Sequence, residues 1–159
     1  MSIEEKYQSH SEIAILAREL MDKHGLESWR FSFDNSKRRV GYCQYSRKTI
    51  SLSKSVSVSC TKALVKDTIL HEIAHALVGP GHGHDWVWQR KCIEIGGSGQ
   101  RMADASEIEQ DKLNFAYKGT CPNGHVTYRS KKPREGMIQS CGRCSRRFDR
   151  RYIITWEKQ

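Results

Sequence analysis

Two histidines four residues apart, in His71-Glu72-Ile73-Ala74-His75, constrain this 159-residue chain more than any other feature. Residues at i and i+4 share one face of a helix. On a helix, His71 and His75 therefore offer two imidazole nitrogens to one Zn²⁺, and Glu72 beside them can serve as general base toward water. The surroundings predict a helix. Residues 61–70 read as helical, and Gly79-Pro80-Gly81 stops the helix one turn past His75.

A catalytic zinc centre of this kind needs a third protein ligand and keeps a fourth position open. His82 and His84 follow closely, in Gly81-His82-Gly83-His84-Asp85-Trp86. Glycine on both sides of His82 allows the tight fold-back that would carry an imidazole under the helix. The metzincin spacing HExxHxxGxxH is nearly met, but Gly79 and His82 each come one residue late. If His82 and His84 both joined His71 and His75, the site would be closed and structural.

The pair of motifs His71-Glu72-Ile73-Ala74-His75-Ala76 and His82-Gly83-His84-Asp85-Trp86 resembles the core of the SprT-like, Spartan-related zinc metalloproteases. That core reads HExxHA, a variable loop, then H-G-x-[DE]-[WF] opening a further helix. Members also tend to carry a zinc-ribbon-like segment after the protease core, so the resemblance extends from the first helix to Trp156. It implies Glu72 as the catalytic base and His82 as the third ligand, with His84 as the alternative. It also implies a substrate of protein bound or crosslinked to DNA, cut with little side-chain specificity. Trp86 and Trp88 are both expected to pack in the core.

Six cysteines supply a second metal hypothesis. Cys121 and His125 form C-x3-H, and Cys141 and Cys144 form C-x2-C after a 15-residue spacer. Two short-spaced pairs of soft ligands suit a closed tetrahedral Zn²⁺ site. Pro122-Asn123-Gly124 and Gly142-Arg143 supply the turns for its two knuckles. Two zinc ions per chain are thus expected, one catalytic and one structural. Cys43, Cys60 and Cys92 read as reduced, semi-buried thiols. With no apolar leader at Met1-Ser2-Ile3-Glu4-Glu5-Lys6 and no membrane-length apolar run, an intracellular protein is expected, without a membrane partner.

Charge is segregated. Residues 116–159 hold 11 Lys/Arg against 3 Asp/Glu, whereas residues 1–115 hold 16 against 15. The excess falls on Arg129, Lys131, Lys132, Arg134, Arg143, Arg146, Arg147, Arg150 and Arg151, interleaved with Tyr128, Phe148, Tyr152 and Trp156. Cations for phosphates and aromatic faces for unstacked bases are what single-stranded DNA binding uses. A smaller basic cluster, Lys37-Arg38-Arg39 with Arg47-Lys48, falls at expected hairpin turns.

The remaining pattern predicts an α+β fold: a zincin-type core over residues 1–117 and a zinc-ribbon-like β module over 118–159. A first helix is expected over 11–23, with Ile13, Leu16, Leu20 and Met21 on its apolar stripe, capping-box spacing from Ser9 to Glu12, and Gly25 as its stop. Strands over 29–33, 40–45 and 49–52 are expected to form an antiparallel meander. A helix should run from Asp85 to about residue 95. Residues 102–117 read as a short helix or a strap, and 126–130 and 151–156 as strands. The functional expectation is a zinc-dependent endopeptidase acting on DNA-associated proteins and stimulated by DNA. Its rivals are a non-catalytic, zinc-containing nucleic-acid-binding protein and a metzincin-like peptidase unrelated to DNA, with Met102 as its Met-turn.

Overall fold

The computed structural model describes residues 5–102 and 115–159. They belong to an α+β protein whose chain divides into two compact units, Met1–Glu109 and Gln110–Gln159. Most of the stretch expected as a helix or strap, residues 103–114, lies outside the described residues.

Helix α1 (His10–Lys23) opens on a capping box. Ser9 Oγ accepts from the Glu12 N–H, and the Glu12 carboxylate accepts from the Ser9 N–H, both at 3.3 Å. Such a cap is worth about 1 kcal/mol. At the other end, Gly25 turns left-handed at φ +76°. The Gly25 and Leu26 N–H groups can then reach the carbonyls of Asp22 and Met21 and close the last turn. Ile13, Ala17 and Met21 are fully buried, while Leu16 and Leu20 are only half-buried.

Strands β1 (Arg30–Asp34), β2 (Gly41–Gln44) and β3 (Thr49–Ser53) make one sheet in the order β1-β3-β2. The expected meander is only half right. β2 and β3 form an antiparallel hairpin, but β1 runs parallel to β3. Burial explains the order: Ile50, Ser51, Leu52 and Ser53 are all enclosed, so β3 takes the centre. Residues 35–48, β2 among them, are long enough for the crossover that a parallel pair needs. Helix α2 (Lys54–Ser57) then starts at Ser53, whose hydroxyl accepts from the Val56 N–H at 3.1 Å.

Helix α3 (Lys62–Val78) is the centre of this unit, contacted by α1, β2, β3 and α4 (Trp86–Glu94). Thr61 caps its start through the Leu64 N–H, and Gly79 at φ +86° ends it. Apolar residues lie nearly all round α3, as a helix packed on several sides requires. Asp85 caps α4, accepting from the N–H groups of Val87 and Trp88 at 3.0 and 3.1 Å. This start sets Trp88 and Cys92 against Ala74 of α3.

The second unit is a sheet of β4 (Tyr117–Thr120), β5 (Val126–Arg129) and β6 (Thr155–Lys158) in the order β5-β4-β6, all antiparallel. Its last strand begins later than expected. Asp149 accepts from the Arg151 N–H at 2.9 Å and winds Arg150–Tyr152 into a 3-10 turn, so β6 starts only at Thr155. Trp156 lies flat on Gly119, where a Cβ would come within 2.9 Å of the indole.

Candidate active site and metal centres

α3 presents His71 and His75 on one face, and the turn before α4 brings a third imidazole to them. That third ring is His84. Its Nε2 lies 3.0 Å from His71 Nε2 and 3.1 Å from His75 Nε2. Three nitrogens bound at about 2.0–2.1 Å around a tetrahedral ion would be roughly 3.3 Å apart, so the rings stand close to ligating distance. His82, the ligand implied by the family pattern, lies elsewhere: its Nδ1 is 2.9 Å from Asp85 Oδ2. Local geometry explains the exchange. The Asp85 N–H bonds the His82 carbonyl at 3.1 Å, closing a turn in which Gly83 takes φ +52°. His84 immediately precedes the cap of a helix docked on α3, whereas His82 sits two residues further out. The closed four-histidine site therefore does not form.

Trp88 is the floor of the cluster. It is 1% exposed, stacks on His75 at 5.2 Å, and meets His71 and His84 edge-on at 4.6 Å each. Its Nε1 donates to the His71 carbonyl at 3.3 Å. Trp86, expected to pack as well, is 70% exposed because it opens α4 on the outward side. Met102 is also exposed and makes no floor of the Met-turn kind.

Burial holds His71 and His75 down at about 4, with His84 adding to it for both and His71 for His75. His84 is lowered by burial and by Arg101. The imidazoles are therefore neutral at ordinary pH, the form that ligates a metal. Burial pushes the Glu72 carboxyl up to about 8, with Arg39 pulling the other way. Glu72 is pressed against β2, where a Cβ on Gly41 would lie 2.9 Å from Glu72 Oε1. Only glycine lets the strand pass so close.

The sequence offered no hint of the shell that holds His71. The Gln100 backbone hydrogen-bonds the His71 ring. With Nε2 facing the cluster, Nδ1 is left as the donor. The loop carrying Gln100 is anchored one helical turn before His71, where the Asp67 carboxylate accepts from the Ser98 N–H at 2.6 Å and the Ser98 hydroxyl at 2.7 Å. Second-shell groups lie outside any short motif, so spacing alone does not expose them. A cavity of about 650 Å³ adjoins the cluster, lined in part by Gly41, Tyr42, Cys43, Tyr45, Glu72 and His84. Cys43 is a buried thiol pushed up to about 12 by burial and by Glu72, and Cys60 and Cys92 are buried as well.

In the second unit, Cys121, His125, Cys141 and Cys144 come together with all four ligand atoms within 4.8 Å of one another. Cys121 Sγ and Cys144 Sγ are 3.9 Å apart, and His125 Nδ1 is 3.3–3.6 Å from the three sulfurs. Zinc–sulfur bonds of about 2.3 Å at tetrahedral angles place sulfurs roughly 3.8 Å apart, which this set matches. Both knuckles are closed by backbone bonds, from the Gly124 N–H to Cys121 and from the Cys144 N–H to Cys141. Around the cluster, Lys131, Lys132, Arg134, Arg143, Arg146, Arg147, Arg150 and Arg151 are exposed. Several of the remaining candidate contacts also have internal roles. Arg129 lies over Trp156 at 5.0 Å, Tyr128 stacks on Phe115, and Arg151 is held by Asp149 and lies over Tyr152.

The SprT-like family model matches residues 10–111, which take in α1, the first sheet and every residue of the histidine cluster. The chain belongs to the SprT-like family. That family's domain is metallopeptidase-like, in keeping with the histidines and Glu72 around one cavity. No curated protein and no solved structure matches the chain. The Cys121/His125/Cys141/Cys144 cluster lies beyond the matched residues and stands on its own geometry. No helix among the described residues is long and apolar enough to cross a membrane.

Proposed function

We propose that this SprT-like protein is a zinc-dependent endopeptidase with a zincin-type core, acting on proteins attached to DNA. The observation that carries the reading is the convergence of three neutral imidazoles, on His71, His75 and His84, beside the buried carboxyl of Glu72. His71, His75 and His84 would hold a zinc ion, which would supply a Lewis acid that eases deprotonation of water near neutral pH. Glu72 takes the proton from the attacking water and returns it to the leaving amine. β2, which has a sheet neighbour on one side only among the described residues, offers its other edge to an extended peptide along the cavity. Trp88 keeps the ligand rings in place from below, and Gly41 keeps Glu72 within reach.

The second unit supports the DNA half of the reading. Cys121, His125, Cys141 and Cys144 suit a closed zinc site, and folding on zinc would gather the exposed Lys and Arg side chains onto one module. Such a module binds single strands through phosphates, with strong salt dependence. Holding protease and substrate on one strand raises their effective concentration.

The test uses the zinc-loaded full chain and a protein substrate, either free or attached to a single-stranded oligonucleotide. Attached substrate should be cut faster, chelation should abolish cutting, and added zinc should restore it. Cys141→Ser with Cys144→Ser should remove the advantage of attachment while leaving cleavage of free peptides. Equal rates on free and attached substrate would remove DNA from the account. Chelator-resistant cleavage would remove zinc.

A further inference from the structure

The walls of the cleft beside Glu72 carry arginines that the chemistry of peptide hydrolysis does not call for. Arg38, Arg39 and Arg101 line the same cavity as His71, Glu72, His75 and His84. Arg39 is spoken for: it pairs with Asp34 at 2.8 Å and lies over Tyr42 at 4.6 Å. Arg38 and Arg101 are exposed, and their side chains make no ion pair among the described residues. They reach the cleft from different parts of the chain. Arg38 stands on the connection from β1 to β2, beside the strand that touches Glu72, and Arg101 follows the Asp67-anchored loop, beside His84. Of the acids lining the cavity, Asp67 keeps its charge but its carboxylate is turned to the Ser98 N–H and hydroxyl, and neither it nor Glu72 forms an ion pair with Arg38 or Arg101 among the described residues.

We infer that Arg38 and Arg101 make this cleft selective for acidic side chains flanking the scissile bond, one arginine serving each side. The inference rests on the endopeptidase reading above and names the substrate class of that same site. A peptide running along β2 alternates its side chains between the two faces of the strand, so residues either side of the cleaved bond are presented to the walls. A carboxylate there meets a guanidinium that can accept it in bidentate fashion. A lysine would meet a like charge. Exposed pairs are each worth up to about fivefold, so the two together give on the order of tenfold. The effect should fade with salt, because both arginines are open to solvent.

The experiment uses the zinc-loaded full chain without DNA and three fluorogenic peptides, identical except for Glu, Gln or Lys on both sides of the cleaved bond. kcat/KM should fall in the order Glu, Gln, Lys, about tenfold from first to last, and the spread should shrink at high salt. Arg38→Glu with Arg101→Glu should invert the order. The milder Arg38→Gln with Arg101→Gln should flatten it, and serves if charge reversal disturbs folding. Equal rates on all three peptides would overturn this inference and leave the peptidase reading standing. No cleavage of any peptide by zinc-loaded protein would overturn both. If, in a parallel arm with a single-stranded oligonucleotide added, the arginine variants instead lose the stimulation equally for every peptide, the rim holds phosphate and the inference fails.

Discussion

At the scale of single residues, the third ligand shows what spacing can and cannot say. His71, Glu72 and His75 were legible because a helix leaves one arrangement for an i, i+4 pair. His82 and His84 were not separable that way. The choice depends on the turn at Gly83 and on where Asp85 starts α4, and neither has a period. Metal analysis should therefore find that His84→Ala loses the core zinc while His82→Ala keeps it. Equal losses, or the reverse, would contradict the geometry. Glu72 carries a second prediction, for the metal-free protein. Its folded pKa of about 8 lies above the ordinary 4.5, so burial disfavours the charged form. Its contribution is fully present below pH 4.5 and is lost as the pH rises towards 8. Metal-free Glu72→Gln should match the parent in thermal midpoint at pH 4 and exceed it at pH 8.5, by an amount worth a few kcal/mol. An unchanged difference across that range would show that Glu72 is not desolvated.

At the scale of elements, helices were easier to read than pairings. Caps at Ser9, Thr61 and Asp85 and stops at Gly25 and Gly79 are local chemistry, so the ends of α1, α3 and α4 could be placed closely. The parallel pairing of β1 with β3 is long-range and was missed, because the alternation in residues 29–33 says nothing about which neighbour a strand finds. α2 was missed because its four residues, Lys54-Ser55-Val56-Ser57, are too few to show an apolar period. The loop from Gly96 to Gln100 carries no motif, yet it braces His71. Asp67→Ala frees that loop and should weaken zinc binding at the core by about 10–100-fold, the usual cost of losing a group that holds a ligand ring in place. Competition with a zinc chelator measures this, and circular dichroism checks that the helices remain. Unchanged zinc affinity would mean that the His71 ring needs no brace.

At the scale of the whole molecule, the segregation of charge was visible from composition alone, and the Cys121/His125/Cys141/Cys144 cluster from its spacing. Their agreement has a physical basis. A module as short as the second unit buries little apolar surface, so a metal would help to order it, and its Lys and Arg residues would then share a small scaffold. Composition could not show which of those residues are already engaged, as Arg151 is with Asp149 and Arg129 with Trp156. The SprT-like match ends before this unit, so the two halves of the account rest on separate observations joined by one chain. The protease half depends on the histidine cluster being a working hydrolytic centre, and it is the central claim. The most direct measurement of that is peptide cleavage by Glu72→Gln, with zinc content determined on the same preparation. The variant should hold two zinc ions per chain and keep its fold, while kcat/KM falls by about 10²–10⁴-fold through loss of the general base. Full cleavage by Glu72→Gln with its zinc in place would contradict the account.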